Sequence, residues 1–134
     1  MIFIDTAAFL AVENRRDAHH EEALAFRAVA LERGQRFVTS DYVLDEAYTL
    51  LRLRAGHGVA VQFGEDIRAS RVLRVEYLTA DAIEAAWRIF RAFADKDFSF
   101  TDCTSFALME RLGLEAAFTF DDHFRQYGRF TIRP

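Results

Sequence analysis

The chain has 134 residues, 51% of them hydrophobic, and a formal net charge of −4. That length fits one domain, 1–134, able to bury a core without covalent staples, and a lone cysteine, Cys103, excludes an internal disulfide and a cysteine zinc cage. The acidic balance argues against a protein that holds nucleic acid by bulk electrostatics, but leaves room for an enzyme that meets phosphate through a local basic patch and metal ions.

Met1–Asp5 reads as a strand apolar on both faces, the kind found inside parallel sheets. A short helix is predicted over Thr6–Asn14. A longer one spans Ala18–Arg33, with Ala23, Phe26, Ala30 and Leu31 as its buried stripe and Gly34 at its end. Phe37–Thr39 is a second strand. Ser40 or Asp41 caps the next helix, whose stripe is Val43, Ala47, Leu50 and Leu51; Gly56 and Gly58 punctuate its end. Val59–Ser70 is helical and Val72–Leu78 a third strand. Thr79 caps a helix running to Asp95 that carries Ile83, Ala86, Trp87, Phe90 and Phe93. Thr101–Leu112 is a further helix, ended by Gly113, and Ala117–Phe120 and Phe130–Ile132 are the last strands. Apolar runs alternating with helical patterns indicate an α/β fold with a mainly parallel sheet.

Four acids from distant segments stand where that pattern does not ask for a charge. Asp5 closes the first strand, Glu46 interrupts an apolar stripe, Asp102 opens an apolar helix, and Asp121 follows a short apolar run. In an open α/β sheet, chemistry collects beyond the carboxyl ends of the strands, and the first turns of the following helices face the same edge. The topology therefore brings the four to one rim, where each close pair repels by roughly 1 kcal/mol in water and about 4 kcal/mol at an effective dielectric near 20. A cation resolves that repulsion, and an all-oxygen site suits Mg²⁺ or Mn²⁺.

Each acid also has a plainer explanation. Asp5 is a good N-cap residue. Glu46 is within reach of Arg52 or Arg54 for a salt bridge. Ser99-Phe100-Thr101-Asp102 has the look of a capping box, and either Asp121 or Asp122 caps a short helix starting near His123. Asp121 is favoured for the site because it directly follows the strand, with Asp122 as the fallback. Ser99, Thr101 and Thr119 are candidate supporting hydroxyls. The four histidines show no metal-ligand spacing, and surface placement is favoured for His123 over a peripheral ligand role. No phosphate-cradling glycine loop, dinucleotide fingerprint or nucleophile elbow is present. Cys103 reads as a small buried helix residue. No run approaches the roughly 18 apolar residues of a membrane span, and no signal-peptide pattern opens the chain, so a cytoplasmic location is expected.

Taken together, Ile2-Phe3-Ile4-Asp5-Thr6, Thr39-Ser40-Asp41-Tyr42-Val43-Leu44-Asp45-Glu46, Ser99-Phe100-Thr101-Asp102-Cys103 and Phe118-Thr119-Phe120-Asp121-Asp122-His123-Phe124 resemble a PIN-domain protein, in particular a VapC-type toxin ribonuclease, over nearly the whole chain. The resemblance implies a three-layer α/β/α sandwich, an acidic Mg²⁺ or Mn²⁺ site made by Asp5, Glu46, Asp102 and Asp121, and endonucleolytic cleavage of RNA, with tRNA or rRNA as expected targets. It further implies a cognate antitoxin and a homodimer. Asp97 lies in a loop near the third block with a weaker claim. Two alternatives stay open: a PIN-like nuclease with a housekeeping role in RNA processing, and a non-catalytic α/β binding module whose acids serve as caps.

Overall fold

Five strands and seven helices alternate along the chain in the computed structural model, which describes residues 1–134. In order they are β1 (Ile2–Ile4), α1 (Thr6–Glu13), α2 (His20–Glu32), β2 (Phe37–Ser40), α3 (Asp41–Ala55), α4 (His57–Ala69), β3 (Leu73–Glu76), α5 (Ala80–Ala92), α6 (Phe100–Leu112), β4 (Ala116–Phe118), α7 (Asp122–Tyr127) and β5 (Thr131–Arg133). All strand pairs are parallel, in the order β3-β2-β1-β4-β5, and helices flank the sheet, as the alternating sequence pattern requires.

The chain winds outward from β1 in one direction through β2 and β3, then crosses to the other side of β1 to lay down β4 and β5. The seam between β1 and β4 is therefore the point where the winding direction reverses, the place where such sheets open a crevice beyond their strand ends. The register across the seam pairs Phe3 with Ala117 and Ile4 with Phe118. The next residue on each strand is Asp5 on one side and Thr119 on the other, and the Asp5 amide donates to the Phe118 carbonyl at 3.2 Å.

Burial explains the strand compositions. Every residue of β1 and β2 is buried, including Thr39 and Ser40, whereas the edge strands β3 and β5 are only partly covered. Thr39 meets its buried position by donating to the Ile4 carbonyl at 2.9 Å. Ser40 caps α3 by accepting from the Val43 amide. Asp41, the other cap candidate, accepts instead from the Leu78 amide and ties the end of β3 to the start of α3.

An aromatic cluster fixes α7 against α6. Phe106 stacks on Tyr127 at 4.2 Å and meets Phe98 and Phe124 edge-on. The Tyr127 hydroxyl donates to Glu110 at 2.7 Å. This packing matters because α7 and the turn before it carry Asp121 and His123.

Some boundaries and faces differ from the sequence reading. Gly58 lies inside α4, not at the end of α3, because the left-handed Gly56 alone breaks the chain between the two helices. β4 ends at Phe118; Thr119 still donates its amide to the Arg133 carbonyl at 3.1 Å while its hydroxyl reaches Asp5. On α5 the buried face is Ala82 and Ala86, while Trp87 and Phe90 are 47% and 42% exposed; small residues, not the aromatics, face the core there. Leu31, expected in the α2 stripe, is also exposed. No helix is long and apolar enough to cross a membrane.

Phe106→Ala removes a fully buried ring from the support of α7. It should lower unfolding free energy by about 3–5 kcal/mol, read as a shift of the denaturation midpoint at unchanged m-value.

Candidate active site

Asp5 occupies the N-cap position of α1 but does not use its side chain as a cap. Its carbonyl, not its carboxylate, takes the first-turn amides of Ala8 and Phe9. The carboxylate is 3% exposed, and Oδ2 accepts from the Thr119 hydroxyl at 3.0 Å. That hydroxyl in turn accepts from the Asp121 amide at 3.0 Å. One threonine just beyond β4 thus links the first acid to the last, 116 positions along.

Asp102 arrives from α6 as its third residue. The capping box is complete: the Asp102 amide donates to Ser99 Oγ at 3.0 Å, and Asp102 Oδ2 accepts from the Ser99 amide at 2.9 Å. The same Oδ2 lies 2.9 Å from His123 Nδ1. Asp121 caps α7 through Oδ1, which accepts from the His123 amide at 2.9 Å and lies 3.3 Å from His123 Nδ1. Capping and site membership therefore coincide in both residues. In each, the donors fall on one oxygen, which leaves Oδ1 of Asp102 and Oδ2 of Asp121 without a protein donor.

The electrostatics follow from this crowding. Burial, and then the charge of Asp102, push the Asp5 carboxyl up to about 7; Asp121 adds to the rise, while the Thr6 amide and the Thr119 hydroxyl oppose it. Burial also raises Asp102, with Asp121 adding to the rise and the Ser99 amide and His123 opposing it. Such mutual destabilisation of charge is what a divalent cation relieves. The donor set fits one: ligand atoms of Asp102, Asp121 and His123 lie within 4.8 Å of one another, and Asp5 is coupled to both acids. The Thr6 hydroxyl, in the turn after Asp5, is buried without a hydrogen-bond partner.

Three of the four sequence-predicted acids, Asp5, Asp102 and Asp121, come together. Glu46 sits in the second turn of α3, half-buried, and forms no ion pair with Arg52 or Arg54. It belongs neither to the close group nor to the charges that bear on Asp5, although α3 packs against both α1 and α6. Asp122 and Asp97 are exposed. His123 is the residue that sequence reasoning placed on the surface and the structure places in the site. The cap places only the His123 amide against Asp121; the ring's contact with Asp102 is tertiary and leaves no local signal in the sequence. Cys103 is buried and its thiol is pushed up to about 11 by burial and the Asp102 charge, which removes it as a nucleophile.

Fold and site together define a class: a parallel α/β protein whose switch point carries clustered carboxylates able to hold a cation. The chain belongs to the PIN domain family, whose model matches residues 2–130. It is 40% identical over 134 residues to the 23S rRNA-specific endonuclease VapC20 of Mycobacterium tuberculosis, in strains CDC 1551 and H37Rv, covering 100% of this chain and 99% of the relative. The crystal structure of Mycobacterium tuberculosis VapC20, a sarcin-ricin loop cleaving toxin, superposes with a TM-score of 0.91 at 39% identity over 100% of both chains. VapBC2 from Rickettsia felis, solved bound to a fragment of promoter DNA, shares the fold at a TM-score of 0.71 and 11% identity, over 99% of this chain and 98% of that one.

Without cation, Asp5 makes folding less favourable as pH rises. Below about pH 4 the carboxyl is protonated in both the folded and unfolded states and costs nothing. Between about 4 and about 7 the unfolded chain ionises first, so stability falls, and above about 7 the loss is complete at roughly a few kcal/mol. Asp5→Asn should therefore be more stable than the wild type in EDTA, by a margin that grows from about pH 4.5 to about pH 7.5. Denaturant midpoints of both proteins at the two pH values measure it.

Proposed function

We infer that this protein is a metal-dependent endoribonuclease, the toxin of a toxin–antitoxin pair, and that its substrate is ribosomal RNA. The observation that carries the reading is the Asp5 carboxylate, buried and not spent on a cap, in a crevice with two further acids. A module whose acids serve only as caps accounts for Asp102 and Asp121 but leaves Asp5 unexplained. Full-length likeness to an endonuclease named for 23S rRNA supports the same substrate class, with the sarcin–ricin loop as the first RNA to test.

Asp5, Asp102 and Asp121 would hold Mg²⁺ or Mn²⁺, with Glu46 as a more distant member of the set. Bound there, the cation would supply Lewis-acid polarisation of the scissile phosphate and positive charge for the departing oxygen. The protein's own part is orientation. Thr119 fixes Asp5, and the Ser99 amide and His123 fix Asp102, so that each carboxylate presents a defined edge to the crevice. Asp121, half-exposed and with Oδ2 free of protein donors, is placed to accept a proton from an attacking water.

The antitoxin has a candidate seat. A cavity of about 240 Å³ is lined by Phe9, Phe37, Phe63 and Phe118, with Glu13, Arg27 and Asp66 among its polar members and the exposed Leu31 and Val72 also in its wall. An apolar side chain of an amphipathic antitoxin segment would enter it past Leu31 and Val72. For the homodimer, the exposed Trp87 and Phe90, stacked at 5.9 Å on α5, offer an apolar face.

Purified protein should cut a sarcin–ricin hairpin with Mn²⁺ and not with EDTA. Asp5→Asn should reduce the rate by at least about 100-fold while keeping the fold; undiminished cleavage by that variant would remove the proposed site. Glu46→Gln should act mainly on the cation, and calorimetry showing wild-type Mn²⁺ affinity would exclude Glu46 as a ligand.

A further inference from the structure

The end of α1, the start of α2 and the α3–α4 junction enclose an open cleft of about 600 Å³. Arg15, Arg16 and Arg54 line it, with His20 in its wall and Glu13 as its one acid. Three guanidinium groups against one carboxylate stand out in a chain of net charge −4. None of the three arginines is engaged in an ion pair, so their charge is available to a ligand. The turn that carries two of them is fixed. Asn14 Oδ1 accepts from the Arg16 amide at 3.1 Å, and the Asn14 carbonyl accepts from the Asp17 amide. His20 Nδ1 donates to the Ala11 carbonyl at 2.7 Å, which locks the start of α2 onto α1.

Two elements tie the cleft to the acidic crevice without sharing a wall with it. Helix α1 begins at Thr6, beside Asp5, and ends at Glu13 in the cleft; its length is ~12 Å at 1.5 Å per residue. His19, next to His20, stacks on Phe120 at 4.4 Å and 8°, one residue before Asp121. A cation in the crevice would meet only the scissile phosphate, and the flanking phosphates of a polyanion need positive partners of their own close by. Planar guanidinium forks are the donors suited to phosphate oxygens.

We propose that this cleft is a phosphate-binding subsite that grips the RNA backbone a few nucleotides from the scissile bond. It rests on the ribonuclease reading above and adds to it the element that anchors the strand. Arg52 does not share the role: it lines a separate cavity with His57 and Arg68.

The test compares wild type with the Arg15→Gln, Arg16→Gln, Arg54→Gln triple variant. A control triple, Arg33→Gln, Arg71→Gln, Arg111→Gln, removes the same charge from exposed positions that precede β2, β3 and β4, at the opposite edge of the sheet. Binding of a fluorescein-labelled sarcin–ricin hairpin is measured by anisotropy over a NaCl series with Ca²⁺ in place of Mn²⁺, and cleavage rates are measured with Mn²⁺. The cleft triple should bind at least about tenfold more weakly at low salt, with a log–log salt slope shallower by about 0.7 for each phosphate that is no longer neutralised. Its KM should rise while kcat stays within about twofold. The control triple should stay close to wild type. Equal losses in both triples, wild-type binding by the cleft triple, or a wild type that does not bind the hairpin would each overturn the subsite. Selective loss of binding in the cleft triple with no cleavage by the wild type would instead keep the subsite and refute the nuclease reading.

Discussion

Three carboxylates held close together, two of them buried, set the terms for this structure. Asp5 is buried at the seam where the sheet reverses its winding, and that burial, with the charges of Asp102 and then Asp121 adding to it, pushes its carboxyl up to about 7. The acids are carried at a cost to apo stability, and the surrounding hydrogen bonds limit that cost without removing it. Thr119, the Ser99 amide and the backbone at the start of α7 each attach to one acid and hold it in place. A cation turns the same proximity from a penalty into an affinity, which ties the stability of the crevice to its chemistry.

The topology makes that clustering possible with very short strands. β1 and β4 have three residues each, so the chain leaves the sheet immediately after the last paired residue. Asp5 and Thr119 continue the β1–β4 register for one more step and meet across the seam. Helix α6 then brings Asp102 in by its capped N-terminus, and α7 returns His123 over both Asp102 and Asp121. The aromatic stack of Phe106 and Tyr127, with the Tyr127–Glu110 hydrogen bond, keeps α7 from moving away.

Much of this was legible in the sequence because the signals were local. The both-faces-apolar Ile2-Phe3-Ile4, the Ser99 and Thr79 caps, and the acids placed directly after apolar runs give an α/β order and the three acids that the structure brings together. What escaped depended on tertiary context. A helical stripe containing Trp87 and Phe90 has the period of a core face, yet Ala82 and Ala86 take the core because α5 packs closely against α6. Asp41 has the composition of a solvated cap, and only the position of Leu78 makes it a tether. His123 carries no ligand spacing of its own; its partner is 21 positions away. Glu46 shows the converse: a carboxylate beside an apolar stripe draws attention in sequence, but the structure leaves it half-buried and outside the close group.

The decisive measurement is anomalous diffraction from crystals of the wild-type protein soaked in Mn²⁺. A single or paired peak within bonding distance of carboxylate oxygens of Asp5, Asp102 and Asp121 is expected, absent from Asp5→Asn crystals treated alike. An empty crevice under saturating Mn²⁺, with Asp5 unchanged in position, would mean that the buried acids are stabilised by protonation and not by a cation, and the catalytic reading would fall with it.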